Sequence, residues 1–182
     1  MTLIKITDAT VEPITLAEAK LHLRVDSNDD DALITALITA ARTDCENRLQ
    51  STLLQTTWKA VLDDFELVLR LQRGPVMMVD SIKYFDVNGA QQTLDSAAYR
   101  VVGHCIEPVD LWPVTQYRLG AVEVTYTAGM GTTAAAVPMP VVAWIKLALG
   151  DLYASRERSA ERPVVAQGFA DALLDGYKIW AV

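Results

Sequence analysis

The apolar period of this chain changes twice, and that change constrains the fold more than any single motif. Up to Leu49, apolar residues recur at spacings of three and four; from Thr56 they alternate; after Pro140 the wider spacing returns. A helix repeats about every 3.6 residues and a strand every two, so the order is helices, strands, helices. Segregated runs of this kind imply an α+β fold and not alternating βαβ units. The expectation is two helical segments, 14–50 and 138–178, packed together, with a mostly antiparallel β-rich insert at 56–128. The 182 residues read as a single domain, long enough to bury a core.

Local signals place the elements. Thr15-Leu16-Ala17-Glu18 fits a capping box, which predicts a short helix over Leu16–Leu23. The acidic run Asp29-Asp30-Asp31 suits the positive end of a second helix, Asp31–Leu49. Its stripe is Ile34, Ile38, Ala41, Cys45 and Leu49, widened by Leu33 and Leu37. Alternation then predicts strands from Thr56 to Leu62, from Phe65 to Leu71 and from Val79 to Asp86. Asn88-Gly89 predicts a type I′ hairpin leading to a partner at Gln92–Leu94. Tyr99–Val102 and Ala121–Thr127 read as two more strands, separated by a loop marked by Pro108 and Trp112-Pro113. Pro138 and Pro140 precede a helix over Val141–Ser155, with Trp144, Leu147, Ala148 and Leu152 on one face. After the charged connector Ser155–Pro163, a last helix spans Val164–Leu174, with Gly176 as its C-terminal cap.

Charge narrows the partners. The formal net charge is −7, and the basic residues are scattered in runs no longer than two. Affinity for nucleic acid comes largely from Lys and Arg releasing counterions, so this balance argues against DNA binding. The N-terminus has no apolar leader segment, and no apolar run reaches the ~18 residues of a membrane span. The expectation is a soluble protein made in the cytoplasm. There, Cys45 and Cys105, which form no C-x-x-C pair, are reduced thiols.

No motif demands a reaction. His104 and Cys105 are neighbours, and in an extended segment they point to opposite faces, which opposes a dyad. His22 lies far away in sequence, and there is no H-x-x-x-H or cysteine cluster for a metal. Asp26, Asp29, Asp30 and Asp31 lack the central Gly and the closing Glu of a calcium loop. Gly129-Met130-Gly131-Thr132-Thr133-Ala134 spells a dinucleotide fingerprint, but Pro138 and Pro140 delay the helix whose amides would meet a pyrophosphate. These residues read as a turn. No catalytic residue, cofactor or metal is expected, and the chain does not read as an enzyme.

The segment Leu16-Ala17-Glu18-Ala19-Lys20-Leu21-His22-Leu23-Arg24-Val25, followed by an acidic stretch and Asp31-Ala32-Leu33-Ile34, resembles the opening of gp6-like phage head–tail connector proteins. The likeness is to a longer prophage group with a β-rich insert. It continues through Thr57-Trp58, through Arg70-Leu71-Gln72-Arg73-Gly74-Pro75-Val76, and through Trp112-Pro113. It runs on from Gly120 to Gly131 and through Val137-Pro138-Met139-Pro140. It covers about residues 14–178; the tail after Arg158 is its least typical part.

The resemblance implies a virion structural protein of the phage neck. Such an adaptor forms a ring under the portal protein, extends the DNA channel and gives the tail or its stopper a platform. DNA would be passing cargo only, and no membrane is involved. The alternative is a binding module or assembly chaperone outside the virion, which would stay monomeric or dimeric. A ring needs two different faces on each subunit. The candidates are the acidic second helix, with Asp30, Asp31, Asp44 and Glu46, and the basic connector, with Arg156, Arg158 and Arg162.

Overall fold

The computed structural model describes residues 1–155 and 168–178. The chain forms two compact units. One holds Met1–Thr10 and Gln55–Met130, the other Val11–Leu54 and Gly131–Val182. They follow the division into β-rich insert and helical segments, with one addition: the first ten residues belong to the β-rich unit.

The helical unit contains α1 (Leu16–Leu23), α2 (Asp31–Leu49), α3 (Met139–Ala154) and the described helix α4 (Gly168–Ala172). Helix α1 starts with the expected capping box. The Glu18 N–H donates to Thr15 Oγ1 at 3.2 Å, and the Thr15 N–H donates to Glu18 Oε2 at 2.8 Å. That hydrogen bond holds the exposed Glu18 carboxyl below its ordinary pKa. Arg24 and Gln50 end α1 and α2 in the left-handed conformation, and each returns its N–H to carbonyls of the last turn. Glycine is the usual residue there, so the sequence carried no stop signal at either place.

Helix α2 buries Ile34, Ile38, Ala41, Cys45 and Leu49, the stripe expected of it, and packs against α3. Leu33 is exposed and Leu37 half-buried, so the second row does not widen the core. In α3 the buried face is Val141, Val142, Trp144, Ile145 and Leu149, while Leu152 is exposed. The expected face was rotated, because α3 is apolar nearly all round and its period does not mark a phase. Gly176 lies inside a 3-10 turn, Asp175–Tyr177, and not at the end of α4. The expected helix start at Val164 falls outside the described residues.

The β-rich unit contains two antiparallel sheets. The larger has the order β1 (Thr2–Thr7), β2 (Thr56–Leu62), β8 (Val122–Ala128), β4 (Val76–Phe85), β5 (Gln91–Thr93). The smaller has the order β3 (Leu69–Arg70), β7 (Cys105–Pro108), β6 (Tyr99–Val102). Opposed pairs Trp58–Tyr126, Ala60–Val124 and Leu62–Val122 put one face of β2 and β8 into the core with Ile82 of β4. Leu69, Leu71 and Ile106 of the smaller sheet and its flank join the same core.

Four expectations change here. Strand β1 was not foreseen; Leu3 packs on the core, and Ile4 and Ile6 stay exposed. The run Phe65–Leu71 forms a strand only at Leu69–Arg70, because the Asp64 carboxylate turns the chain by accepting the Phe65 N–H at 2.8 Å. Cys105–Pro108, read as part of a loop, is the central strand of the smaller sheet; Pro108 is tolerated at its last pair, opposite Tyr99. The hairpin is where Asn88-Gly89 placed it, but its turn is not type I′. Only Gly89 has positive φ, and the Gly89 N–H donates to the Asp86 carbonyl. This is a type I turn closed by a left-handed glycine. The Asp86 carboxylate accepts from the Asn88 and Ala90 N–H groups and from Gln92 Nε2. These bonds keep its pKa below the ordinary carboxylate value.

Candidate interaction surfaces

The residues weighed for chemistry are dispersed. His104 is exposed in the turn before β7, Cys105 is half-buried in β7, and His22 is exposed on α1. Cys45 is fully buried in α2. Among the described residues, no group of three or more His, Cys, Asp or Glu side chains is placed to hold a metal. Gly131 serves packing: a Cβ there would lie 2.4 Å from that of Ala136, in the 3-10 turn Ala134–Ala136.

Both cysteines are free thiols. Burial pushes the Cys45 thiol up to about 12, and the carboxylates of Glu46 and Asp44 add to the rise. A thiolate is the reactive species, so Cys45 should resist alkylation in the native protein at pH 8 while Cys105 reacts. Titration in denaturant without reductant should find both. Equal native rates for the two would contradict the burial of Cys45.

The acidic residues of α2 are largely engaged within their own unit. Asp31 accepts from Lys20 Nζ at 2.7 Å, Asp30 from the Tyr153 hydroxyl at 2.5 Å, and exposed Asp44 from Arg48 Nε at 3.1 Å. Glu46 is buried: Oε2 receives Arg42 Nη1 at 3.2 Å and Oε1 the Leu53 N–H at 3.0 Å. Its expected place on an exposed face is therefore corrected. The helical period points it inward beside Cys45, and the Arg42 guanidinium offsets its desolvation. Arg156, Arg158 and Arg162 lie outside the described residues.

The most exposed apolar side chains of the β-rich unit gather at one end of its larger sheet. Three loops meet there, 63–68, 86–90 and 109–120, at the end of the sheet where β2 and β4 finish and β8 begins. They present Tyr117 at 106%, Leu111 at 90%, Leu67 at 85% and Leu119 at 83% relative exposure, with Val114 and Val87 beside them. The loops are tied down. Phe65 stacks on Trp112 at 4.6 Å and meets Tyr84 edge-on. Thr115 bridges to Asp86 and donates its hydroxyl to Asp64 at 2.7 Å. The Gln116 N–H donates to the Phe85 carbonyl, the Gly120 N–H to Asp63, and Arg118 lies over the Phe85 ring at 4.0 Å. Loops braced in this way lose little backbone freedom when covered, which lowers the cost of binding there. The three loops carry Asp63, Asp64, Glu66, Asp86 and Asp110 against Arg118 alone.

Residues 13–97 match the family model described as phage gp6-like head–tail connector protein. Over that stretch the chain is similar to this family. The matched stretch spans α1, α2 and the strands from β2 to β5. No curated protein sequence matches this chain. In fold it is similar to a chain in the neck of an empty gene transfer agent particle computed with C6 symmetry. That likeness has a TM-score of 0.83 at 22% identity, over 100% of this chain and 97% of the other. A chain in the virion of the native particle aligns with a TM-score of 0.81 at 22% identity and the same coverage of both chains. A chain in the native neck computed with C12 symmetry aligns with a TM-score of 0.80 at 23% identity, again over 100% and 97%.

Proposed function

We propose that this chain is a head–tail connector, a structural subunit of a ring in the neck of a tailed phage or phage-like particle. It docks under the portal protein, extends the DNA channel and offers the tail or its stopper a platform. The family match over residues 13–97 carries the reading, and the whole-chain likeness in fold to chains from particle necks supports it. The subunit is made in the host cytoplasm and ends in the virion neck. Its net charge of −7 suits a channel through which DNA passes without adhering, since like charges repel.

In this ring, Asp30, Asp31 and Asp44 of one copy face Arg156, Arg158 and Arg162 of the next, and these charges set register more than affinity. Exposed ion pairs contribute about 0–1 kcal/mol each, so apolar contacts must hold the ring. Reversing Arg156 and Arg158 to Glu should raise the concentration needed for assembly a few-fold and leave the circular dichroism spectrum unchanged. The deciding experiment is electron microscopy of the concentrated protein, alone and with portal-bearing heads. Rings are the expected result. A protein that stays monomeric or dimeric in both samples is not a connector subunit.

A further inference from the structure

We infer that the loop end of the β-rich unit docks on the outer face of the smaller sheet of a second copy of this chain, and that this contact builds the ring. The inference rests on the neck reading above and names the surfaces it requires.

The first surface is the braced loop end, with Tyr117, Leu111, Leu119 and Val114 exposed at its tips. Its charge decides what it meets. Five carboxylates against one guanidinium make two loop ends repel, which opposes a symmetric pairing of this surface with itself. A complementary face must be less acidic and partly apolar.

The β-rich unit carries such a face. In the smaller sheet, Arg70 opposes Cys105, Cys105 opposes Val102, and Arg100 opposes Glu107. Opposed residues share a face, and so do residues two apart along a strand. These five side chains therefore lie on one side of the sheet, while Leu69 and Ile106 take the other side, into the core. The outer side presents Val102 at 63% exposure and a half-buried Cys105, with exposed Arg70 and Arg100 on either side. With Glu107 paired across from Arg100, the two arginines still leave this patch net positive, and with Val102 it fits an aromatic and aliphatic tip flanked in sequence by Asp110 and Glu66. Arginine and tyrosine are also the residues that most often dominate interface energies.

The two surfaces are different patches of one unit, so their contact is heterologous. Repeated from copy to copy, such a contact closes into a ring when the rotation permits, whereas a symmetric contact stops at a dimer.

The test uses two full-length variants. One replaces Leu111→Asp and Tyr117→Asp; the other replaces Val102→Asp. Each leaves the opposite surface intact, and all three positions are exposed, so the circular dichroism and melting of the monomers should match wild type. By mass photometry at a concentration where wild type forms rings, each variant alone should be monomeric. An equimolar mixture should give heterodimers that do not grow, since only one intact pair of surfaces remains. In wild type, Cys105 alkylation should slow at least ten-fold when the ring forms.

Rings formed by either variant at the wild-type concentration overturn this inference and leave the neck reading standing. So does a loop-end variant that forms rings but no longer joins heads to tails, which would assign that surface to another protein. Wild type that forms no ring, even on portal-bearing heads, overturns both.

Discussion

Arg42→Ala destabilises the helical unit by about 3–5 kcal/mol, the range for breaking a buried ion pair from one side. The Arg42 side chain is 1% exposed and sits in the middle of α2. Its guanidinium gives Nε to Glu12 Oε2 at 2.8 Å and Nη2 to Glu12 Oε1 at 3.4 Å, while Nη1 reaches Glu46 at 3.2 Å. Glu46 in turn holds the Leu53 N–H, and Thr39 donates to Glu12 at 2.8 Å. One cation thus ties the segment entering α1, the middle of α2 and the segment leaving α2. Removing it keeps two carboxylates near each other, one of them buried. Arg42→Lys should recover only part of the loss, because an ammonium keeps the charge but not the planar fork. Adding Glu46→Gln to Arg42→Ala should cost less than the sum of the two single changes, since the second removes the charge that the first left uncompensated. Urea unfolding followed at the helical circular dichroism band measures all three. A loss below about 1 kcal/mol for Arg42→Ala would show that the triad is not what joins these segments.

Tyr126→Ala should cost the β-rich unit a comparable ~3–5 kcal/mol, as aromatic-to-alanine changes in cores do. Tyr126 is fully buried on β8, opposite Trp58, and its hydroxyl donates to the Gln72 carbonyl at 2.6 Å. Tyr126→Phe keeps the ring and removes that bond, for about 1 kcal/mol. Burial raises the phenol pKa above its ordinary value near 10, with nearby Arg73 opposing the shift. The folded state therefore holds this proton more tightly than the unfolded chain does. The stabilisation is whole below about pH 10 and is lost as pH rises toward the folded pKa. Tyr99, also raised by burial, adds to the same alkaline loss. Melting followed at pH 8 and pH 11 should therefore show a steep alkaline decline in wild type and a shallower one in Tyr126→Phe. Equal declines would place the titrating group elsewhere.

The candidate surfaces were only partly legible in the sequence. Asp30, Asp31 and Asp44 read as a charged face; Asp31 and Asp44 lie on α2 and Asp30 at its N-cap, and each has a partner within its own unit. Glu46 could not be told from them, because a carboxylate one residue from the apolar stripe looks exposed until Arg42 and Leu53 are brought to it. The braced loop end was not foreseen at all. Leu67 belongs to an alternating run that reads as a strand, and Leu111, Val114, Tyr117 and Leu119 fall in a segment that reads as a loop. The loops that carry them meet through contacts between residues distant in sequence, such as Thr115 with Asp64 and Phe65 with Trp112.

Periodicity by itself determined the α+β order, the strands β2 and β8 within a residue or so, helices α1 and α2, the core stripe of α2 and the capping box at Thr15. These are local properties, written in spacing and in side chains that bond to their own backbone. Tertiary structure alone decided the rest. It recruited residues 2–7 to the sheet edge, because a strand exists only where a neighbour offers its hydrogen bonds. It chose the buried face of α3, because an apolar helix takes its phase from what it packs against. It ended α1 and α2 at Arg24 and Gln50, where the packed chain accepts a left-handed turn that neither residue favours on its own.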